Sequence, residues 1–186
     1  RAIRAPTPLD RDVPERDGGM TFLVGNTSFR PERVDAYQLG YRGQPLANLA
    51  LSVSTFYNVH DDLRTVEWGP PPTLLPLTWG NNMEGETYGV EAWAKWQVSE
   101  WWRLSPGVRI LRTSLEFKPD TIPVLGLEQA GNDPRWQGLL TSSMDLPHDL
   151  TFDATLRYVD ELPAPALPSY HELNAALAWR MNDRLT

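Results

Sequence analysis

Hydrophobic residues alternate with small or polar residues along most of this chain. The longest alternating run puts these residues on one side: Leu49, Leu51, Val53, Thr55, Tyr57 and Val59. A period of two residues is typical of a β-strand that has one apolar face. Apolar residues at helical spacing are rare, and the 17 prolines of the sequence would interrupt helices. The pattern therefore predicts an all-β fold.

Further segments show the same alternation and predict further strands. They span residues 37–42, 87–98, 102–110, 136–146, 150–158 and 172–181. Trp93 interrupts the polar side of its segment, and Pro106 requires a position at which the sheet needs no backbone donor. Because successive strands follow one another through local connections, we expect an antiparallel up-and-down meander.

The connections between these strands alternate in length. Short ones lie at residues 43–48, 99–101, 147–149 and 182–184, and long ones at residues 66–83, 116–134 and 160–169. Outer-membrane barrels combine short periplasmic turns with longer extracellular loops, and their strands are segments of about ten alternating residues. The alternation therefore favours a transmembrane β-barrel of the outer membrane. Two alternatives stay open, a β-sandwich that binds carbohydrate through exposed tryptophans and a small outer-membrane barrel enzyme.

Composition narrows the function classes. The chain has 24 acidic and 17 basic residues, a formal charge of −7 and no cysteine. Nucleic-acid binding is disfavoured because phosphate neutralisation needs clustered Lys or Arg. Disulfides, iron–sulfur centres, Cys-ligated zinc and a cysteine nucleophile are excluded. The start, Arg1-Ala2-Ile3-Arg4, lacks Met and the apolar core of a signal peptide, so we expect a fragment of a longer protein.

The sequence predicts no catalytic residue, resident metal or cofactor. It contains no Gly-x-Ser-x-Gly nucleophile motif, and His60, His148 and His171 are far apart in the chain. Two acidic clusters could suggest a cation site, residues 60–62 (His-Asp-Asp) and the set Asp10, Asp12, Glu15 and Asp17. A hard cation needs about six oxygen ligands, which neither cluster supplies alone. We therefore interpret both clusters as solvated loops.

Several short motifs resemble one family. Gly25-Asn26-Thr27-Ser28-Phe29-Arg30-Pro31-Glu32 resembles the Gly-Asn-Pro-x-Leu-x-Pro-Glu segment of TonB-dependent outer-membrane receptors, with Thr27 where proline is usual. Residues 37–41 (Tyr-Gln-Leu-Gly-Tyr) are similar to the next strand of that family. Residues 56–63, 82–91 and 1–7 resemble further segments of it. Together these motifs extend the resemblance over nearly the whole chain.

The resemblance implies a fold and a function. The fold is part of a barrel of about 22 strands with a plugged lumen. Residues 1–186 would supply about seven or eight strands of it, without the plug domain or the closing strand. The implied function is uptake of a scarce nutrient, such as an iron–siderophore complex, across the outer membrane of a Gram-negative bacterium. The implied partners are this ligand, the lipid bilayer, and TonB through the plug; no nucleic acid and no catalysis are implied.

Loop and lumen positions supply the candidate ligand-binding residues. By the resemblance, the long loops form the vestibule that captures the nutrient; the candidates there are Trp68, Trp79, Asn81 and Asn82. Arg109 is a candidate on the polar, lumen-facing side of its strand. The charged residues expected on that side, Glu91, Lys95, Arg109, Asp153 and Arg157, would pair with one another, contact the plug or line the ligand path. If the fragment were isolated, its open sheet edges and apolar face would favour self-association.

Overall fold

The computed structural model describes residues 1–69 and 71–181. The strands and helices in chain order are β1 (Ala2–Arg4), α1 (Pro8–Arg11), β2 (Glu15–Asp17), β3 (Met20–Val24), β4 (Glu32–Leu46), β5 (Leu49–Glu67), β6 (Leu77–Ser99), β7 (Trp102–Phe117), α2 (Leu127–Ala130), β8 (Trp136–Leu146), β9 (Leu150–Val159), β10 (Leu162–Pro163), β11 (Ala166–Leu167) and β12 (Tyr170–Trp179). The all-β prediction is confirmed. The short connection predicted at residues 182–184 lies outside the described residues.

The strand order of the main sheet is that of a meander. Its main path runs β1-β4-β5-β6-β7-β8-β9-β12, with β2 and β3 attached beside it and β10 and β11 forming a separate pair. From β4 to β9 each strand therefore lies beside its neighbour in sequence, and the predicted antiparallel up-and-down meander is confirmed. Within residues 1–69 and 71–181, β1 does not pair with β12. No helix in that part of the chain is long and apolar enough to cross a membrane.

The strands are longer than the sequence pattern predicted. β5 contains 19 residues and β6 contains 23, whereas about nine to eleven are enough to cross a bilayer. The connection predicted at residues 66–83 is present but shorter, because β5 ends at Glu67 and β6 begins at Leu77. The start of β6 is extended because β3 pairs with it in parallel, Leu23 opposite Leu77 and Val24 opposite Thr78. Alternation within β6 alone carries no trace of this partner.

The chain forms two compact units. Unit 1 consists of Arg1–Tyr37, Tyr57–Tyr88 and Thr113–Asn132, and unit 2 of Gln38–Phe56, Gly89–Arg112 and Asp133–Thr186. Unit 1 contains the connection between β5 and β6 and most of the connection between β7 and β8. Unit 2 contains the short turns that follow β4, β6 and β8. The units therefore differ in the kind of connection that they contain.

Unit 2 has one apolar and one polar face. Between β8 and β9, Leu140 lies opposite Leu156, and Leu156 in turn lies opposite Leu173 of β12. One residue along, Thr141 lies opposite Thr155, and Thr155 opposite Asn174. The register thus keeps like residues on like faces, as the alternation predicted. The apolar side chains are uncovered; Leu173, for example, is 69% exposed.

Unit 1 is built around the N-terminal segment. Thr7 caps α1, with Pro8 at the first helical position and a reciprocal bond between Thr7 and Asp10. Gly25 passes so close to the backbone of Arg11 that a Cβ atom there would lie 2.3 Å from the carbonyl carbon of Arg11. Phe29 then reaches the core and is 1% exposed. The Gly-Asn pair of the family motif therefore has a physical reason, close backbone contact with α1.

Candidate ligand-binding site

Asp10 is the most buried charged residue of unit 1, with a side chain that is 0% exposed. Its Oδ2 atom accepts hydrogen bonds from the backbone N–H and the hydroxyl of Thr7, each at 2.8 Å, and from Arg4 at 3.2 Å. Its Oδ1 atom accepts from Arg64 at 3.3 Å. Arg4 also donates to Glu32 at 2.7 Å. The carboxylate thereby joins α1, β1 and β5.

The surroundings of Asp10 set its protonation state. Burial raises the pKa of this carboxyl group, but the hydrogen bonds from Thr7 and the positive charge of Arg4 lower it by more, so the pKa lies below the ordinary value. The carboxylate is therefore ionised at neutral pH. The interpretation of the acidic set around Asp10 as a solvated loop is wrong for Asp10, because the helix cap and two arginines replace the water.

Asp61 and Asp62 form a second cluster of charges. Lys118 donates to Asp61 at 2.7 Å and to Asp62 at 2.8 Å, and Arg30 pairs with Asp62 at 2.7 Å. Arg33 contacts both carboxylates. The expectation of a solvated loop is wrong for Asp62, which is 3% exposed and lies within β5, whereas the side chain of Asp61 is 37% exposed. Burial lowers the pKa of Lys118, but hydrogen bonds to the two carboxylates raise it above its ordinary value.

Two of the predicted site residues, Asn81 and Asn82, are engaged inside unit 1. The amide of Asn81 donates to the carbonyls of Asp62 at 2.7 Å and Arg30 at 3.0 Å, and its oxygen accepts from the Arg30 N–H at 2.6 Å. Asn82 donates to Glu67 at 2.7 Å. These side chains join β5, β6 and the segment before β4. In the structure they position the surrounding backbone.

Trp79 lies against a cavity of about 250 Å³. The guanidinium carbon of Arg64 sits 4.6 Å from the centre of the Trp79 ring, which is a cation–π contact. The indole Nε1 is buried and has no hydrogen-bond partner within residues 1–69 and 71–181. Other side chains in the wall are those of Thr65, Val66, Met83, Phe117, Pro123 and Leu125.

The remaining predicted residues are placed elsewhere. Trp68 is 39% exposed and its backbone N–H donates to the carbonyl of Ile122 at 3.1 Å, outside the cavity wall. Arg109 belongs to unit 2, where its Nε lies 3.5 Å from a carboxylate oxygen of Glu91. The structure therefore places four of the five predicted residues in unit 1 and Arg109 in unit 2. Glu91 is one of the charged residues that the sequence analysis assigned to the same face as Arg109.

Sequence reasoning missed Arg64, Met83 and Phe117 as parts of one cavity. A signal existed for Arg64, because it directly follows the charged Asp-Asp-Leu segment near the end of β5. Met83 and Phe117 carried no signal, since each has the sequence context of an ordinary strand residue and only the pairing of β5, β6 and β7 brings them together.

Long antiparallel strands, with an uncovered apolar face in unit 2, are the architecture of part of a transmembrane β-barrel. The family profile described as TonB dependent receptor-like, β-barrel, matches residues 1–186. The chain therefore belongs to the TonB-dependent receptor β-barrel family. No curated protein matches the chain.

Solved receptors share the fold at low sequence identity. The ferric yersiniabactin uptake receptor FyuA from Yersinia pestis is 22% identical, with a TM-score of 0.60 over 84% of this chain and 24% of that one. The pyoverdine receptor FpvA from Pseudomonas aeruginosa PAO1, bound to pyoverdine, is 15% identical, with a TM-score of 0.65 over 97% of this chain and 26% of that one. The copper transporter OprC is 14% identical, with a TM-score of 0.67 over 98% of this chain and 29% of that one. The chain thus spans about a quarter of the length of FyuA and FpvA.

Proposed function

We propose that this chain is part of an outer-membrane receptor that takes up a scarce nutrient in a Gram-negative bacterium, with energy supplied through TonB. The observation that carries the proposal is the family match over residues 1–186. Under this proposal residues 1–186 form part of the barrel wall, and a plug from outside this sequence contacts TonB. The chain itself performs no bond chemistry.

The two faces of the strands support a position in lipid. In unit 1, exposed tyrosines form a row, with 6.4 Å between the ring centres of Tyr37 and Tyr57 and again between those of Tyr57 and Tyr88. Rows of aromatic side chains mark the membrane–water interfaces of outer-membrane barrels. In unit 2 the apolar residues that share the face of Leu156 would meet acyl chains. Without lipid, these same surfaces would favour self-association, together with the edge of β12 that has no partner strand within residues 1–69 and 71–181.

An organic metal chelate, such as an iron–siderophore complex, is the proposed ligand class. FyuA takes up ferric yersiniabactin and FpvA binds pyoverdine, whereas OprC transports copper. In this chain Asp10, Asp61 and Asp62 are engaged by arginine or lysine. Their oxygens are thereby occupied, while aromatic rings line the cavity beside Trp79. This arrangement favours an organic molecule over a bare cation.

The predicted site residues take different proposed roles. Trp68 and Trp79 are the proposed ligand contacts of unit 1. Arg109 is a separate candidate contact on the polar face of unit 2. Asn81 and Asn82 would act by holding the backbone of β6, because their amides already have partners.

Uptake of radiolabelled iron chelates tests the proposal in a strain whose other receptors are deleted. We expect uptake that requires both the complete receptor and TonB, and that falls on substitution Trp79→Ala. Trp101→Ala is the control, because Trp101 is an exposed tryptophan in a short turn of unit 2. Equal uptake of every tested chelate with and without the receptor would contradict the proposal.

A further inference from the structure

Trp93 is an aromatic residue on the otherwise polar face of β6, and the structure places a gap beside it. A Cβ atom at Gly107 of β7 would lie 3.9 Å from the Cβ of Trp93 and 3.9 Å from the Cβ of Leu139. Gly107 therefore stands between these two side chains and contributes none of its own. Trp93 and Leu139 are 45% and 46% exposed, so the gap is open. It is part of a groove of about 290 Å³ within unit 2.

Two arginines lie beside this gap on the same face of the sheet. Arg157 of β9 is opposite Leu139 of β8, which in turn is opposite Gly107. Arg109 is opposite Gln137, two residues further along. Because side chains on one face repeat every two residues, these two rows are about 7 Å apart. Both arginines and Gln137 line the same groove.

The guanidinium groups of both arginines are open to a further partner. Arg109 lies 3.5 Å from Glu91 and Arg157 lies 3.9 Å from Glu172. Both separations are longer than an ordinary N–H···O hydrogen bond. The Nε atom of Arg109 is buried, but 39% of this side chain and 48% of that of Arg157 are exposed. A ligand in the groove can therefore reach both side chains.

The charges of the wall favour an anion. The groove is lined by two guanidinium groups and one carboxylate, that of Glu91. A carboxylate forms strong, charge-assisted hydrogen bonds with guanidinium groups. An uncharged ligand would gain none of this attraction, so the groove selects a negatively charged one.

The two sides of the gap favour a flat ring. In the part of the chain that the structure describes, no aromatic ring and no guanidinium group stacks on Trp93. An aromatic ring gains from contact with an indole beyond the burial of its area. Leu139 supplies an apolar wall on the other side of Gly107. An aliphatic chain would gain the apolar contact but not the contact between rings.

The groove lies near the end of the sheet from which the long connections leave. Gln137 is the second residue of β8, and Arg157 lies two residues before the end of β9. In outer-membrane barrels the long connections are extracellular. A ligand that enters the lumen from outside would therefore meet this groove early.

We propose that this groove binds an aromatic carboxylate. The carboxylate would lie between Arg109 and Arg157. The ring would lie above Gly107, with Trp93 on one side and Leu139 on the other. The assignment deepens the proposed function and rests on it, since the aromatic carboxylate would be one substituent of the organic chelate. The receptor would then prefer chelates with such a substituent over uncharged ones.

Binding of small probes to the complete receptor in detergent micelles tests this assignment. The probes are benzoate (ring and charge), benzamide (ring without charge) and acetate (charge without ring), and calorimetry or ligand-observed NMR reports their affinity at one salt concentration. We expect benzoate to bind more tightly than either partial probe. Arg157→Gln should weaken benzoate about tenfold, the lower value for a hydrogen bond to a charged group, and leave benzamide unchanged. The matched control is Arg103→Gln, because Arg103 lies on the same face of β7 outside the groove and pairs with Asp145.

Two further variants separate the ring from the charge. Gly107→Leu fills the gap and should weaken benzoate and benzamide while leaving acetate unchanged. Its control is Gly40→Leu, the same exchange in β4 of unit 2, where a Cβ atom would lie 3.8 Å from the Val53 carbonyl. Glu91→Gln removes the carboxylate that competes for Arg109 and should tighten benzoate, which a purely structural charge pair would not do.

Four results would overturn the assignment. They are equal affinities for benzoate and benzamide, equal effects of Arg157→Gln and Arg103→Gln, full benzoate binding by Gly107→Leu, and no benzoate binding at all, as expected if an acidic segment of the plug fills the groove. Uptake of iron chelates by cells is measured separately. Loss of uptake with intact benzoate binding contradicts the transport function and supports the groove, whereas normal uptake without benzoate binding contradicts the groove alone.

Discussion

Unit 1 and unit 2 are built from the same long strands but are stabilised differently. Unit 1 encloses charged and amide side chains, of which Asp10, Asp62 and Asn81 are almost fully buried and bonded across several segments. Unit 2 pairs like residues along the register and leaves its apolar face uncovered, as Leu156 and Leu173 show. Unit 1 is thus stabilised by internal polar contacts, whereas the apolar face of unit 2 is expected to contact lipid.

The contrast illustrates that the contribution of an ion pair to stability depends on how far its charges are buried. Asp10 is fully enclosed, so loss of its charge would leave two arginines facing an unsuitable partner. The side chains of Arg109 and Glu91 in unit 2 are 39% and 42% exposed, so solvent screens their charges, and the Arg109 Nε atom, 3.5 Å from Glu91, forms no hydrogen bond. We therefore expect the ion pairs of Asp10 to contribute more to stability than the pair of Arg109 and Glu91.

A charge on the apolar face of unit 2 is expected to have the largest effect. Leu156→Arg would place a guanidinium in the lipid core, which costs about 2–4 kcal/mol at the bilayer midplane. Denaturant titration of the complete receptor refolded into vesicles measures this loss. Thr155→Arg is the matched control on the opposite face of the same strand, and we expect it to cost under about 1 kcal/mol. Equal losses would show that the two faces are assigned incorrectly.

Removing the charge of Asp10 is expected to have the next largest effect, in unit 1. Asp10→Asn keeps the shape but turns an amide group toward Arg4 or Arg64, which are themselves donors. Because both arginines are partly exposed, we expect a loss of about 1–3 kcal/mol. This loss of stability should appear as faster amide hydrogen exchange in peptides from residues 1–31. The control is Asp12→Asn, which removes an equal charge from an exposed neighbour; if both variants exchange alike, Asp10 does not hold this segment.

Local pattern was enough to predict the strands of unit 2. Leu150, Phe152, Leu156 and their partners alternate cleanly because one face meets an apolar medium and the other does not. The same rule assigned Arg109 and Glu91 to the polar side, but their proximity is known only from the structure. Within each of these strands, the face on which a residue lies follows from its place in the alternation.

Local pattern failed in unit 1 because its environment comes from segments far apart in sequence. Asp10 is buried by Arg64, which lies 54 residues away, and Asn81 by Arg30, which lies 51 residues away. A charged residue is expected to be exposed unless these partners are known. The resemblance to a family indicated which motifs recur, but not that Gly25 and Asn26 serve contact with α1. The cavity beside Trp79 was missed for the same reason.

Acid is expected to destabilise unit 1 through Asp10, by less than the substitutions described above. The pKa of Asp10 lies below its ordinary value in the folded chain, so the charged form stabilises unit 1. That contribution is complete above about pH 4, the ordinary value for Asp, and is lost as the pH falls through the lower folded value. Proteolysis within residues 1–31 by an acid protease should therefore accelerate below about pH 4. Asp10→Asn, which has no proton to gain, should lack this component of the pH dependence, and an identical pH profile for the variant would contradict the assignment.

Replacing Arg109 is expected to have the smallest effect on stability. Arg109→Gln breaks an exposed pair with Glu91, and such pairs contribute about 0–1 kcal/mol. Any loss of uptake in this variant would therefore reflect a lost ligand contact rather than lost stability, which is not so for substitutions at the buried polar residues of unit 1. If Arg109 contacts the nutrient, chelate uptake falls while the denaturation midpoint stays nearly unchanged, and Glu91→Gln, which removes the partner but not the guanidinium, retains uptake. If both variants transport normally, Arg109 is a structural residue of the polar face, and the ligand contacts lie with Trp68 and Trp79 in unit 1.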